Sequence, residues 1–125
     1  MGEKTVLIVD DEFHIVNALA LKFRSSNFRV VTAGNGREAL QRIDDSKPDL
    51  VITDYQMPVM NGLDLVRTLR AARETREIPI IMLSARRQDL DEVSGGQTDV
   101  DAFMSKPFSP RAIVSQSRKL IGDAP

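Results

Sequence analysis

The architecture is clearest in one segment of the chain, Leu50-Val51-Ile52-Thr53-Asp54-Tyr55-Gln56-Met57-Pro58-Val59-Met60-Asn61-Gly62. Its first four residues form a short apolar run, which predicts a strand that is covered on both faces. The run stops at Asp54, and the pairs Met57-Pro58 and Asn61-Gly62 that follow are ordinary turn-forming sequences. The segment therefore predicts a buried strand that ends in a carboxylate, followed by a turn and a helix.

The same alternation of short apolar runs with amphipathic stretches occurs five times along the chain. It predicts strands at Thr5–Val9, Arg29–Ala33, Leu50–Thr53, Ile78–Leu83 and Ala102–Ser105. It predicts helices at Phe13–Ser26, Gly36–Asp45, Asn61–Ala72 and Ser109–Ile121, the last with Ser109 as N-cap. Strands and helices that alternate in this way indicate right-handed crossovers, and hence a doubly wound α/β domain with a parallel sheet between two layers of helices.

Length and composition limit the possible functions. The 125 residues suit one domain, 1–125, and we expect no effector domain in this chain. Lys and Arg number 17 against 18 Asp and Glu, which gives a net charge of −1. This near balance does not attract the protein to nucleic acid or to an anionic membrane. There is no cysteine, and the first apolar run is too short for a signal peptide or a membrane span. We therefore expect a cytoplasmic protein.

One feature could suggest nucleic-acid binding, because arginines recur every third residue at positions 67, 70, 73 and 76. Acidic residues interleave with them, among them Asp64, Glu74 and Glu77. Alternating charges of this kind favour a solvated helix face over a nucleic-acid stripe. We predict no direct contact with nucleic acid.

Polar side chains collect where the apolar runs end. They are Asp10 and Asp11 after the first run, Asp54 after the third, Ser84 after the fourth and Lys106 after the fifth. In a parallel sheet these ends share one edge, where such folds bind ligands. Crowded carboxylates repel one another by several kcal/mol per pair, roughly, so a cation is expected among them, and oxygen ligands without His or Cys suit Mg²⁺. Because Lys106 is a good partner for phosphate and a carboxylate can attack phosphorus, the residues predict a magnesium-dependent phosphoryl-acceptor site.

At these residues the chain resembles the receiver domain of response regulators. The resemblance rests on four ordered motifs: Val9-Asp10-Asp11-Glu12, Asp54 to Gly62, Leu83-Ser84-Ala85 and Ser105-Lys106-Pro107-Phe108. It covers essentially the whole chain. It implies a flavodoxin-like strand order 2-1-3-4-5 and five helices, the fourth of them between Ser84 and Phe103.

The resemblance also implies a role for each site residue. Asp54 is similar to the phosphoacceptor. Asp10, Asp11 and Asp54, with the backbone carbonyl of Gln56, correspond to the ligands of Mg²⁺. Lys106 corresponds to the lysine that contacts the phosphoryl group and precedes a cis bond to proline. Taken alone, Asp11 could also be the N-cap of the first helix, in addition to binding metal, and Asp54 could be a simple turn former.

Two further residues are implied to carry the signal. Ser84 resembles the switch hydroxyl that moves toward the phosphate, and Phe103 the switch aromatic that turns inward with it. The implied output surface comprises the fourth helix, the fifth strand and the fifth helix. In this chain the adjacent Gly95 and Gly96 weaken the fourth helix, and Ser117 stands where the fifth helix would bury an aliphatic side chain.

The function implied is that of a phosphorylation-controlled switch rather than a turnover enzyme. The donor would be a histidine kinase or a phosphotransfer protein, and the target would be a downstream protein effector or a second copy of the chain. A phosphate-independent receiver-like interaction module is the alternative. A hydrolase acting through an aspartyl phosphate is a further rival, but such enzymes usually carry a second Asp two residues after the nucleophile, where this chain has Gln56.

Overall fold

A computed structural model describes residues 3–84 and 100–122, which form a five-stranded parallel sheet in the order β2-β1-β3-β4-β5. The strands are β1 (Thr5–Val9), β2 (Arg29–Ala33), β3 (Leu50–Asp54), β4 (Ile80–Ser84) and β5 (Ala102–Ser105). This order is the one implied by the resemblance. The largest difference in strand bounds is at β4, which begins at Ile80 and not at Ile78, after Pro79, a residue without an N–H to donate to the sheet.

Four helices lie among the described residues: α1 (Phe13–Ser25), α2 (Gly36–Ser46), α3 (Gly62–Ala71) and a last helix, Pro110–Ile121, here named the C-terminal helix. The implied fourth helix of five falls within 85–99, which is outside the described residues. Three of these four helices have an N-cap side chain. The side chains of Asn35, Asn61 and Ser109 each accept a hydrogen bond from the backbone N–H three residues later. The prediction of Ser109 as N-cap is confirmed.

The three central strands of the sheet are buried on both faces, as the apolar runs predict. Every residue of β1, β3 and β4 is buried. Alternate residues of β1 point to opposite faces, so Ile8 packs in a core cluster with α1 and the C-terminal helix, and Leu7 packs in a second cluster with α2 and α3. This double layer fixes the positions of the strand ends, on which the site depends.

The C-terminal helix buries Ile113, Val114 and Ser117 against the sheet side. The Ser117 side chain is fully buried, and its hydroxyl donates to the backbone oxygen of Ile113 at 2.7 Å. A helix carbonyl thus satisfies the buried hydroxyl.

The arginine series does not form one solvated face. The Arg70 guanidinium is largely buried and donates to the backbone oxygens of Arg76 (2.9 Å) and Ile78 (2.7 Å) and to Asp101 Oδ2 (3.0 Å). It therefore ties α3 to the segments before β4 and β5. Within residues 3–84 and 100–122, no helix is long and apolar enough to cross a membrane.

Candidate functional site

The polar residues predicted at the strand ends come together at one edge of the sheet. The register pairs Val9 with Thr53 and Asp54 with Leu83, so Asp10, which follows β1, lies level with Asp54, the last residue of the adjacent strand β3. Ser84 pairs with Ser105 at the end of β4 and β5, and Lys106 is the next residue. The topology alone therefore places residues from four strands along one edge.

Three carboxylates form the acidic part of this site. Asp10, Asp11 and Asp54 each offer one oxygen, and these oxygens all lie within 4.8 Å of one another. Asp10 and Asp54 are buried, whereas Asp11 is exposed and opens the cluster to solvent. Oxygen donors at this spacing, with one side open to water, fit Mg²⁺, which binds through a few carboxylates and retains water or phosphate ligands.

Lys106 lies at the centre of the site. Its Nζ is 3.0 Å from Asp54 Oδ1, 3.3 Å from Asp10 Oδ2 and 2.9 Å from Glu12 Oε1. Only 13% of the lysine side chain is exposed, so water screens its pairs with the buried Asp10 and Asp54 weakly, whereas Glu12 is 48% exposed. The cation links both buried carboxylates and stands where a group attached to Asp54 would meet it.

Glu12 is a site residue that the sequence reasoning did not assign. It appeared only as the fourth residue of the first motif, yet its carboxylate makes the shortest of the three contacts of Lys106. It also occupies the N-cap position of α1, without a capping bond from its side chain. The alternative in which Asp11 caps α1 is therefore wrong. Instead, the Glu12 N–H donates to Asp10 Oδ1 at 2.9 Å, which fixes the orientation of that carboxylate.

Burial and charge shift the protonation of these groups. Burial raises the pKa of Asp54 to about 6, and the charge of Asp10 adds to the effect, while the hydrogen bond and charge of Lys106 oppose it. Burial likewise raises the pKa of Asp10. Burial alone would lower the pKa of Lys106, but its hydrogen bonds to Glu12 and Asp54 raise it overall, so the lysine stays charged. The contact with Lys106 lowers the pKa of Glu12.

The segment after Asp54 is held close to the strand end. Gly62 N–H donates to the Tyr55 oxygen at 2.8 Å, and Tyr55 N–H donates to the Leu83 oxygen at 2.9 Å. Gln56 is exposed, and it lines an open polar groove together with Asp11. The predicted carbonyl ligand Gln56 thus lies on the same side of the site as the exposed carboxylate.

The two implied switch residues lie on neighbouring strands, Ser84 at the end of β4 and Phe103 within β5. Ser84 is buried at the end of β4, and its backbone oxygen accepts the Lys106 N–H at 2.7 Å. The peptide bond between Lys106 and Pro107 is cis, as the resemblance implied. Phe103 lies on β5 opposite Met82 and packs, partly buried, against the core cluster on the α2 and α3 side.

Comparison with known proteins assigns nearly the whole chain to one family. The family model described as the response regulator receiver domain matches residues 6–118. The chain is 36% identical over 94% of its length to the alkaline phosphatase synthesis transcriptional regulatory protein PhoP of Bacillus subtilis. It is 38% identical over 93% of its length to the transcriptional regulatory protein CpxR of Escherichia coli. The matched part is 48% of each relative, so the chain spans about half their length.

Solved structures match it over nearly their full length. The chemotaxis response regulator CheY4 of Vibrio cholerae superposes with a TM-score of 0.85 and 28% identity, covering 94% of this chain and 98% of that one. A response regulator from Chloroflexus aurantiacus gives 0.88 and 31%, covering 96% and 98%. These likenesses support the fold and its strand order.

Proposed function

The chain belongs to the response regulator receiver family, and from that membership we propose that Asp54 accepts a phosphoryl group and that the domain switches its surface in response. Phosphorylation on aspartate is the known mechanism of this family. One observation carries the assignment to Asp54: its carboxylate lies beside Asp10 and Asp11 and 3.0 Å from the Lys106 ammonium. Among the three clustered carboxylates Asp10 and Asp54 are both buried, and Asp54 is the one that ends the central strand β3.

The transfer follows from these positions. An oxygen of the Asp54 carboxylate forms a bond to phosphorus while the bond from phosphorus to the donor's nitrogen or oxygen breaks, and the leaving group departs with that electron pair. The pKa near 6 leaves Asp54 mostly ionised at neutral pH, and more basic than an ordinary aspartate. Lys106 donates a hydrogen bond to a phosphoryl oxygen and stabilises the charge there.

We propose Mg²⁺ as the cofactor, held by Asp10, Asp11, Asp54 and the backbone carbonyl of Gln56. The ion supplies positive charge that lowers the repulsion between the carboxylates and the incoming phosphoryl group. The oxygen-only donor set supports this choice.

Partners and output also belong to the proposal. A histidine kinase or phosphotransfer protein would supply the phosphoryl group, and a downstream protein or a second copy would read the changed surface. Ser84 and Phe103 would transmit the change to the surface around β5. Receiver domains are signalling domains, so we propose no turnover on an external substrate. We also propose that residues 1–125 form a single receiver domain.

Incubation with acetyl phosphate and Mg²⁺, followed by intact-mass measurement over time, separates the candidate functions. We expect a species heavier by one phosphoryl group that forms and then decays, and that does not form when EDTA removes Mg²⁺. A phosphate-independent interaction module would show no adduct. A hydrolase would consume acetyl phosphate through many turnovers without accumulating the adduct.

A further inference from the structure

The three ion pairs of Lys106 use all of its hydrogen-bonding capacity. A lysine ammonium has three N–H donors and no acceptor. Each donor has a carboxylate oxygen within reach, on Glu12 at 2.9 Å, on Asp54 at 3.0 Å and on Asp10 at 3.3 Å. A phosphoryl group on Asp54 brings additional oxygens to this point. Lys106 can bind one of them only if it releases a carboxylate.

The three carboxylates differ in how easily they can be released. The Asp10 side chain is fully buried, and the Glu12 N–H holds it in place through a hydrogen bond of 2.9 Å. Asp54 carries the phosphoryl group itself. The Glu12 side chain is 48% exposed, and Lys106 is its one ion-pair partner in the described parts of the chain. Water can solvate a departing Glu12 carboxylate, whereas a departing Asp10 carboxylate would remain buried and unpaired.

We propose that the Glu12 carboxylate occupies the Lys106 donor that the phosphoryl group takes, so that Glu12 competes with phosphorylation and helps to set the stability of the phosphorylated state. The inference rests on the proposed function, because it requires Asp54 to carry the phosphoryl group. Glu12 is a positioning residue. It holds the lysine beside Asp54 in the free domain, and a phosphoryl oxygen replaces it as the hydrogen-bond acceptor of Lys106 after phosphorylation. Glu12 is neither the proposed acceptor nor one of the proposed metal ligands.

Replacement of Glu12 tests this competition directly. Glu12→Gln removes the charged competitor and nearly preserves its shape. We expect beryllium fluoride with Mg²⁺, used as a phosphoryl mimic, to bind roughly two- to five-fold more tightly, which is the range of an exposed ion pair. Tyr55 is the only tyrosine, the chain has no tryptophan, and Tyr55 adjoins Asp54, so its fluorescence reports binding. Glu77→Gln, which removes an exposed carboxylate elsewhere, should leave the affinity unchanged.

A second variant separates the contact from the net charge. Glu12→Asp keeps the negative charge but shortens the side chain by one methylene, so the contact with Lys106 is lost. We expect tighter binding of the mimic by Glu12→Asp as well. If Glu12→Asp binds like the wild type while Glu12→Gln binds more tightly, the effect is one of general charge and the inference is wrong.

A third comparison asks whether the effect passes through Lys106. In a Lys106→Met background the Glu12→Gln change should no longer improve affinity, and persistence of the improvement would overturn the inference. If Lys106→Met abolishes measurable binding, the comparison of Glu12→Asp with Glu12→Gln decides alone. A wild-type domain that binds no mimic would contradict the proposed function. A wild-type domain that binds it, with Glu12→Gln unchanged, would contradict only the role of Glu12.

Discussion

Asp54 and Asp10 are buried side by side at the strand ends, and Lys106 compensates their charges only in part. Burial has the largest effect on each, which is why the pKa of both lies above the ordinary value although a cation is 3.0 and 3.3 Å away. The free domain is thus destabilised by its own site at neutral pH. Such unfavourable charge is common where a metal or phosphoryl group later binds.

The raised pKa of Asp54 predicts how the free energy of unfolding depends on pH. The unfolded pKa of Asp is about 3.9, and the folded pKa of Asp54 is about 6, so between these values the folded state binds more protons. Stability from this group is present below about pH 4 and is lost as pH rises through about 6. Asp54→Asn removes the titration. We expect it to match the wild type near pH 4 and to exceed it by roughly 1–3 kcal/mol at pH 7, at about 1.4 kcal/mol per pKa unit.

Urea unfolding in EDTA from pH 4 to pH 8 measures this difference. Asp45→Asn, which removes an exposed carboxylate in the last turn of α2, serves as the control and should track the wild type. A difference between Asp54→Asn and the wild type that stays constant over this range would contradict the electrostatic account.

Some residues of this site can be predicted from the sequence and others cannot. Asp10, Asp54 and Lys106 could be predicted because each lies at or directly after the end of a strand, and the topology alone brings strand ends together. Glu12 could not, because an exposed glutamate at the start of a helix has many accessible rotamers. Its contact depends on the position of Lys106, which is 94 residues away in the chain.

Among the elements, the junction between β3 and α3 constrains the site most tightly. The helix begins at Gly62, after the cap at Asn61, and Gly62 N–H returns to the Tyr55 oxygen. A Cβ at Gly62 would collide with the backbone oxygen of Asp54 and would lie 3.0 Å from Tyr55 Cα. The close approach of α3 to the strand end therefore requires glycine at this position.

Gly62→Ala tests this junction. The obstruction is backbone and cannot rotate away, so we expect a loss of roughly 1–3 kcal/mol of unfolding free energy and weaker binding of Mg²⁺ as Asp54 is displaced. Gly34→Ala is a matched control, because its Cβ would meet only Glu38 Oε1 at an ordinary 3.5 Å. Chemical denaturation and Mg²⁺ titration of both variants measure the effect. Equal stability of the two variants would show that α3 does not need this close approach.

Element boundaries were predicted less well than element types. The helix predicted as Asn61–Ala72 runs from Gly62 to Ala71, because Asn61 serves as the cap and Ala72 has extended backbone. The strand predicted from Ile78 begins at Ile80. In both cases periodicity shows which face is buried, but the ends depend on individual capping bonds and on proline. The implied fourth helix, and the weakness that Gly95 and Gly96 suggest there, stay predictions.

At the scale of the whole molecule, the doubly wound sheet explains why a chemically ordinary set of residues forms one site. Alternation of apolar runs and amphipathic stretches was sufficient to predict the parallel sheet, because only crossovers bury both faces of every central strand. The strand order came from the resemblance to the family, and the register in the structure agrees with it. The output surface and the partners depend on contacts with other proteins, which no pattern within this chain specifies.

The most direct test of the account is to locate the phosphoryl group on the chain. The domain is phosphorylated with acetyl phosphate and Mg²⁺, then reduced with borohydride, which converts an aspartyl phosphate to homoserine, and its peptides are sequenced by mass spectrometry. We predict homoserine at position 54 and aspartate retained at Asp10 and Asp11. Homoserine at either of those positions, or a phosphorylated domain in which Asp54 stays unmodified, would contradict the central claim.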